Sequence, residues 1–301
     1  MTESTSGQAL YQWRQRAIDL AKTHSIDPEE VDWLLQSVTS LSGLSLRLDL
    51  YRGDAEIPVR WPLSTLTQKW SQRTTERIPV QYLIGETPWR HFSILVSPAV
   101  LIPRPETELI IDIAETLLER SPLKKELQEG HWTDLGTGSG AIALGLTRSL
   151  PNATIHAVDI SPSALVIAKN NAQKNHLANQ IHFHEGSWLS PLTNLKGKLS
   201  GIIANPPYIP SKTIPTLQPE VAQHEPHLAL DGGPDGLDCL KVLIQTSSEY
   251  LRPGGIWITE LMLGQAKTVT HLLTAQGTYE QIQTHSDLSG IDRFVSARKT
   301  L

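Results

Sequence analysis

The chain has 301 residues, of which 39% are hydrophobic, so it is long enough to bury a sizeable core in one large domain or two smaller ones. A formal net charge of -5 excludes a globally basic protein that binds nucleic acid mainly through phosphates, and we predict no stable nucleic-acid binding. The one cysteine, Cys239, excludes an internal disulfide framework. The polar start Met1–Ala17 and the lack of a long apolar run predict a cytoplasmic protein without a signal peptide or membrane span.

The first third of the chain has the pattern of packed helices and carries no chemical motif. Apolar residues recur at helical spacing in a first segment: Leu10, Trp13, Ala17, Leu20 and Ala21. A second helix is indicated by the start signal Asp27-Pro28, which is followed by an amphipathic run. The leucines between Leu44 and Leu50 alternate with other residues, and their periodicity fits either a strand or a helix. We predict a small helical substrate-recognition domain over residues 1–84.

A connector and a stiff loop come next. Short aromatic and β-branched runs predict a hairpin-like connector over residues 85–100. In the loop Leu101–Glu108 two prolines flank Arg104, which makes the loop rigid and charged. Thr107 can cap the helix that the following apolar residues imply. This loop leads into the third predicted domain, residues 101–301.

From Trp132 onwards strands and helices alternate, which predicts an α/β domain. The stretch Asp134–Gly140 joins a short strand to a helix rich in alanine and leucine. Its glycines let the backbone approach a ligand closely and leave helix N-terminal amides free. Gly136, Gly138 and Ala141 also satisfy the dinucleotide-binding pattern, so the loop indicates an adenosine-type ligand without identifying it.

The two strands after the glycine loop end in candidate ligand-binding residues. The first ends in Asp159, a carboxylate suited to accept hydrogen bonds from ribose hydroxyls. The second ends in a small polar loop that carries Trp188. An indole at that position could stack on a purine face or could pack as an ordinary rim residue, and the sequence leaves both open.

A rigid turn follows a further buried strand, Gly201–Ala204. Its sequence is Asn205-Pro206-Pro207-Tyr208, and the prolines hold Asn205 extended at the carboxyl end of the strand. Open α/β sheets place their chemistry at that end. The Asn205 side-chain carbonyl and the Pro206 backbone carbonyl can act as convergent acceptors beside the Tyr208 ring. Two acceptors and one flat wall fit a planar NH2 group.

The histidines raise the question of a metal site. His224 and His227 lie near acidic residues, but Pro226 interrupts the helix that would align them as ligands. His182 and His184 fall on one face of a predicted strand, where partly exposed polar positions are the simpler interpretation. We therefore predict no metal site.

Several stretches together resemble the release-factor glutamine methyltransferases, the HemK/PrmC family. The likeness covers the chain from about Pro79 to its end and rests on Leu101–Glu108, Asp134–Gly140, Asn205–Tyr208, Glu225–His227, Leu230–Leu237 and Asp287–Arg293. It implies an α/β fold with a seven-stranded Rossmann-like class I methyltransferase domain, preceded by a small helical domain that helps to hold the release factor. The implied activity is methyl transfer from S-adenosylmethionine to the glutamine amide of the factor's Gly-Gly-Gln motif.

The resemblance also assigns roles to individual residues. It places the methionine part of the cofactor against Gly136, Thr137, Gly138, Ser139 and Gly140. It places the ribose hydroxyls at Asp159 and the adenine near Trp188, and it includes Asn205 among the cofactor-binding residues. The implied catalytic residues, which hold the glutamine, are Asn205, Pro206, Pro207 and Tyr208.

Three other functions fit part of this pattern. A DNA adenine amino-methyltransferase would need the same acceptors and flat wall for an exocyclic NH2 group, but the acidic balance and the absence of an evident basic target-reading segment speak against it. An NAD-dependent oxidoreductase is permitted by the glycine loop and does not explain the proline turn. A non-catalytic binding module with the same fold is the third.

Overall fold

A computed structural model describes residues 3–301, which form two compact units. The first comprises the chain up to Gly85 together with Pro219–His224, and the second comprises Glu86–Gln218 with Glu225–Leu301. In the part of the chain so described, no helix has the length and apolar character needed to cross a membrane.

The first unit is mainly helical, as predicted. Its helices before Gly85 are α1 (Gly7–Thr23), α2 (Glu29–Val38), α3 (Gly43–Arg47), α4 (Leu63–Thr75) and α5 (Val80–Ile84). Two short antiparallel strands accompany them, β1 (Glu3–Thr5) and β2 (Ile57–Val59). Helix α1 begins where the Ser6 hydroxyl accepts a hydrogen bond of 3.2 Å from the backbone N–H of Ala9.

The leucine-rich stretch that fits two periodicities is helical. Leu46 is buried in α3, whereas Leu44, Leu48 and Leu50 are exposed, so only one leucine of the four faces the core. A core of leucines and two tryptophans, Trp13 and Trp70, holds the unit together. Each indole N–H has a partner: Trp13 donates to the Thr67 hydroxyl and Trp70 to the Ala17 carbonyl, both at 3.0 Å.

A buried arginine fastens the segment Pro219–His224 within the first unit. Arg73 is 4% exposed and donates through Nε to Glu30 Oε2 at 2.6 Å and through Nη1 to Glu220 Oε1 at 2.7 Å. Arg77 Nη2 lies 2.6 Å from the same Glu220 oxygen. Because a buried guanidinium is tolerated only when paired, these carboxylates are required partners of Arg73.

The second unit contains a hairpin and a seven-stranded sheet. The hairpin pairs β3 (Glu86–Trp89) with β4 (Phe92–Leu95). The sheet strands are β5 (His131–Leu135), β6 (Thr154–Asp159), β7 (Ile181–Glu185), β8 (Leu199–Ala204), β9 (Leu251–Glu260), β10 (Tyr279–Ser286) and β11 (Asp292–Lys299). The remaining helices are α6 (Leu109–Glu119), α7 (Lys124–Gln128), α8 (Ala141–Ser149), α9 (Pro162–Lys174), α10 (Pro219–His224, part of the first unit), α11 (Asp238–Tyr250) and α12 (Ala266–Gln276).

The strand order β10-β11-β9-β8-β5-β6-β7 confirms the predicted seven-stranded α/β sheet. The five strands from β9 to β7 run parallel, and β11 and β10 add antiparallel pairs at one edge. Chain order reverses between β5 and β8, because β6 and β7 lie on one side of β5 and β8 lies on the other. Ligands of open α/β sheets bind beyond the carboxyl ends of the strands at such a switch point.

Three histidines form a hydrogen-bonded row across β5, β6 and β7. His156 lies between His131 and His184, with ring nitrogens 3.0 Å apart in each contact. Burial, with smaller contributions from the neighbouring histidines, lowers the pKa of His156 to about 3. The sequence predicted a partly exposed polar position for His184, and the structure adds this hydrogen bond. His182 is exposed.

Candidate active site

A cavity of about 290 Å³ opens beyond the carboxyl ends of the parallel strands, at the switch point between β5 and β8. Loops after four strands contribute to its lining. Among the residues predicted to bind the cofactor or the substrate, those that line it are Gly136, Thr137, Gly138, Ser139, Asp159, Trp188, Asn205 and Pro207. The glycine loop and the proline turn, 60 or more residues apart in the chain, therefore meet at one site.

Three residues from the predicted set do not line this cavity. Gly140 has φ +83° and caps α8, and a Cβ there would lie 3.1 Å from the Cβ of Ala168. Pro206 is buried, and Tyr208 is partly buried against the core beside β9. None of the three forms part of the lining, although Pro206 lies between Asn205 and Pro207, which do.

The glycine loop takes a conformation that residues with a side chain rarely adopt. Gly136 has φ +73° and Gly138 has φ +53°. A Cβ on Gly136 would lie 3.5 Å from the Trp188 ring, so the indole packs over the loop. A Cβ on Gly138 would meet nothing closer than a backbone oxygen at 4.0 Å. The loop thus leaves free space beside Gly138, which lines the cavity.

Asp159 is held beside that loop by two backbone groups. Its Oδ2 accepts a hydrogen bond of 2.8 Å from Gly138 N–H, and its Oδ1 accepts one of 2.9 Å from Ser161 N–H. Each carboxylate oxygen keeps a second lone pair for a ligand. The side chain is therefore fixed in orientation and still able to accept hydrogen bonds.

A second carboxyl group, Asp134, lies entirely buried at the end of β5. Its Oδ2 accepts from the Thr137 hydroxyl at 2.5 Å and from Ala143 N–H at 3.0 Å. Its Oδ1 has no hydrogen-bond partner among residues 3–301. Burial raises the pKa of Asp134 to about 7. An unpaired buried oxygen of this kind is satisfied when a donor or a cation binds nearby.

The turn after β8 is anchored by hydrogen bonds to β9 and to the segment after it. Tyr208 donates its hydroxyl to Glu260 Oε1 at 3.0 Å, and its backbone carbonyl accepts from Gln265 Nε2 at 3.0 Å. Asn205 Nδ2 donates to the Thr107 hydroxyl oxygen at 3.3 Å. Burial raises the pKa of Tyr208, so its hydroxyl stays protonated and acts as a donor.

Thr107 and Glu260 are functional candidates that sequence reasoning did not single out. The prediction that Thr107 caps the next helix is wrong, because α6 begins at Leu109 without a side-chain cap and the Thr107 hydroxyl donates to Glu260 Oε2 at 2.7 Å. Glu260 is the last residue of β9 and is fully buried. A charged residue at the end of an apolar strand was the available signal for Glu260.

Two further segments line the cavity. One is the stiff loop that contains Leu101, Pro103 and Thr107. The other is the segment after Glu225, which contributes Pro226, Leu228, Ala229 and Asp231. Within residues 3–301, no group of three or more histidine, cysteine, aspartate or glutamate side chains is placed to hold a metal ion.

Comparison with known proteins agrees with this geometry. The model of the methyltransferase small domain family matches residues 108–233. A release factor glutamine methyltransferase from Synechocystis sp. is 51% identical over 97% of each chain. Proteins of the same name from Thermosynechococcus vestitus and Gloeobacter violaceus are 44% and 42% identical and cover at least 94% of both chains.

Solved structures share the fold at low sequence identity. The hMettl16 catalytic domain superposes with a TM-score of 0.56 at 14% identity, covering 88% of each chain. The human methyltransferase 10 domain containing protein gives a TM-score of 0.51 at 19% identity, covering 70% of this chain and 90% of its own. The predicted Rossmann-like methyltransferase fold is thereby confirmed. With relatives at 42 to 51% identity over nearly their whole length, the chain belongs to the release factor glutamine methyltransferase family.

Proposed function

We propose that the protein transfers a methyl group from S-adenosylmethionine to the side-chain amide nitrogen of the glutamine in the Gly-Gly-Gln motif of peptide chain release factors. The observation that carries this proposal is that a single cavity is lined by both the glycine loop and Asn205. Family membership supports the same reaction, because the relatives described above are named release factor glutamine methyltransferases.

The cavity has features that fit S-adenosylmethionine. The positive-φ glycines leave a surface without side chains for close approach, and Asp159 retains acceptor capacity for ribose hydroxyls. We assign cofactor binding to the residues that line the cavity: Gly136, Thr137, Gly138, Ser139, Asp159, Trp188 and Asn205. The bound cofactor supplies an electrophilic methyl group on a sulfonium centre.

The chemical difficulty lies in the acceptor, because the lone pair of an amide nitrogen is delocalised into its carbonyl. Asn205 can hold an N–H of the glutamine through its side-chain oxygen, and the neighbouring backbone carbonyl of Pro206 can hold the other. Fixing both hydrogens orients the nitrogen for attack. Such positioning can supply up to about 7–11 kcal/mol of barrier lowering in favourable cases. A strong base is not required, since the proton can leave after methyl transfer begins.

The helical segment 1–84 is proposed to recognise the release factor, while residues 101–301 carry the chemistry and 85–100 connect them. This division follows from the concentration of candidate ligand-binding residues after Leu101. A cytoplasmic location, where translation terminates, is part of the same proposal. A partner role for nucleic acid is not proposed, because the formal net charge is -5.

The DNA adenine alternative has no support among the relatives described above. They are named for release factor methylation at 42 to 51% identity. The same acceptors would also bind the exocyclic amino group of an adenine. The geometry of the turn alone therefore does not distinguish the two functions, and a test with both substrates does.

Mass spectrometry of a release factor incubated with the enzyme and S-adenosylmethionine tests the proposal. We expect one added methyl group on the glutamine of the tripeptide, and none on a factor in which alanine replaces that glutamine. Duplex DNA with unmethylated adenines serves as the competing substrate. A factor that stays unmodified while the enzyme binds the cofactor would refute the proposal.

A further inference from the structure

A chain of hydrogen bonds connects the buried carboxyl group of Glu260 to Asn205. Glu260 Oε2 accepts the Thr107 hydroxyl at 2.7 Å, and Thr107 Oγ1 in turn accepts Asn205 Nδ2 at 3.3 Å. The other oxygen, Oε1, accepts the Tyr208 hydroxyl at 3.0 Å. Glu260 is 0% exposed and Thr107 is 3% exposed, so water does not compete for the hydrogen bond between these two side chains.

The number of hydrogens fixes the direction of this chain. A hydroxyl has one hydrogen, and an ionised carboxylate can only accept. When Thr107 gives its hydrogen to Glu260, its oxygen can only accept from Asn205. The Asn205 side chain must then turn its NH2 group towards Thr107. Among residues 3–301, Asn205 Oδ1 accepts no hydrogen bond and is left as a free acceptor on a residue that lines the cavity.

We infer that Glu260, acting through Thr107, is a positioning residue that sets the amide orientation of Asn205 and thereby selects a carboxamide over a carboxylate as the methyl acceptor. This inference rests on the proposed function and deepens it. A glutamine presents an NH2 group to the free Asn205 oxygen, and an ionised glutamate presents only acceptors. When a glutamate carboxylate faces the Asn205 oxygen, neither acceptor has a donor, and binding of the glutamate is therefore disfavoured.

The Asn205 amide could turn its oxygen towards Thr107 only if Glu260 carried a proton. The groups around Glu260 have opposite effects on its pKa. Burial raises the pKa of Glu260 to about 7, while the two hydroxyl donors and the charge of Arg293 act against the effect of burial. The charge of Glu106 adds to the effect of burial. Measurements of orientation therefore belong at about pH 8.5, where the carboxylate is ionised.

Substrate discrimination in matched variants tests the inference. Thr107→Val keeps the shape and removes the hydroxyl, Thr107→Ser keeps the hydroxyl, and Glu260→Met removes the acceptor. The readout is a ratio of two dissociation constants. The constant for the release factor with glutamate in the tripeptide is divided by the constant for the factor with glutamine. Calorimetry in the presence of S-adenosylhomocysteine prevents turnover. We expect the wild-type enzyme to prefer glutamine by at least about tenfold, as an unmade buried hydrogen bond implies.

In Thr107→Val and Glu260→Met the ratio should fall at least about threefold below the wild-type value, and Thr107→Ser should stay close to the wild-type value. Affinity for S-adenosylhomocysteine and the melting temperature show whether each variant is folded. If Glu260→Met does not fold, the comparison of Thr107→Val with Thr107→Ser still tests the inference. Wild-type enzyme that leaves the glutamine unmethylated would overturn the proposed function and the inference together. Normal methylation with an unchanged ratio in folded Thr107→Val would overturn the inference alone.

Discussion

Arg104 Nη2 lies 2.7 Å from Oε1 and 2.8 Å from Oε2 of Glu225, whose side chain is 1% exposed. Arg104 belongs to the stiff loop that contributes Pro103 to the cavity, and Glu225 directly precedes Pro226 in the second lining segment. The ion pair therefore fastens two cavity walls to each other. Burial raises the pKa of Glu225 and the arginine opposes that rise, so the carboxylate depends on its partner to stay ionised.

Arg104→Ala should destabilise the protein and weaken cofactor binding. Removal of the guanidinium leaves a buried carboxylate without its partner, which costs on the order of 2 kcal/mol in the free energy of unfolding for a pair with one partly exposed member. Urea unfolding and calorimetric titration with S-adenosylmethionine measure the two effects. The double variant Arg104→Ala/Glu225→Gln, which has no buried charge, should recover at least half of the lost stability. Equal stability of Arg104→Ala and wild type would contradict this account.

Gly138 and Gly197 have similar backbone conformations, so comparing their alanine variants separates an effect on cofactor binding from an effect of backbone strain. Gly138 and Gly197 have φ +53° and +69°, and a Cβ on either would meet no atom closer than 4.0 Å. Replacement by alanine should therefore cost about 1–2 kcal/mol in both, from the left-handed backbone alone. Only Gly138 lines the cavity. We expect Gly138→Ala to weaken S-adenosylmethionine binding at least about tenfold, or 1.4 kcal/mol, and Gly197→Ala to leave it unchanged.

Thermal unfolding and calorimetry of these two variants provide the measurement. The strain is common to both, so a difference in cofactor affinity reports the surface that Gly138 presents to the ligand. Equal affinities in the two variants would show that the cofactor does not approach this part of the loop.

The alternation of strands and helices and the places of the glycine loop and of Asn205 could be predicted because each depends on neighbours in the chain, whereas the number of seven strands was implied by the family resemblance. Apolar runs mark strands, and glycine or proline after them marks the carboxyl ends. The switch between β5 and β8 then brings Asn205 and Gly138 to one cavity. Their roles in binding and catalysis stay predictions until substrates are tested.

The contact between Thr107 and Glu260 could not be predicted in the same way. The two residues are 153 positions apart, and local reasoning gave the Thr107 hydroxyl to a helix cap. A hydroxyl can satisfy either partner, and only the folded sheet brings a buried carboxylate within 2.7 Å of it. The leucines between Leu44 and Leu50 illustrate the same limit, because their alternation matches a strand, whereas in the fold only Leu46 is buried and the Ser42 hydroxyl caps α3.

The Glu260 carboxyl should make stability fall as pH rises. Burial raises its pKa in the folded protein from 4.5 to about 7. The folded state therefore binds more protons than the unfolded state between these values, and the contribution is complete below the unfolded pKa and lost as pH rises through the folded one. The expected loss is on the order of 3 kcal/mol.

Urea unfolding at about pH 5 and about pH 8 measures this loss in wild type and in Glu260→Gln, which is neutral at both. The difference between the two proteins isolates Glu260, since Asp134 and His156 titrate in both. Identical pH dependence of the two proteins would show that the Glu260 carboxyl ionises as freely in the folded state as in the unfolded chain.

Asn205→Ala should severely slow turnover while it leaves the affinity for S-adenosylmethionine within a few fold. The side chain is assigned to the acceptor amide, whereas most of the cofactor surface is formed by the glycine loop, Asp159 and Trp188. Loss of one preorganised hydrogen-bonding group at a reacting centre typically lowers kcat by about 10²–10³. Single-turnover methylation of a release factor measures the rate, and calorimetry measures the cofactor affinity.

Replacement of an exposed asparagine far from the proposed chemistry, Asn152→Ala, serves as the control, and we expect wild-type values for it. Parallel loss of cofactor binding and turnover in Asn205→Ala would show that the Asn205 side chain serves mainly the cofactor, and the glutamine would then need another acceptor in the cavity.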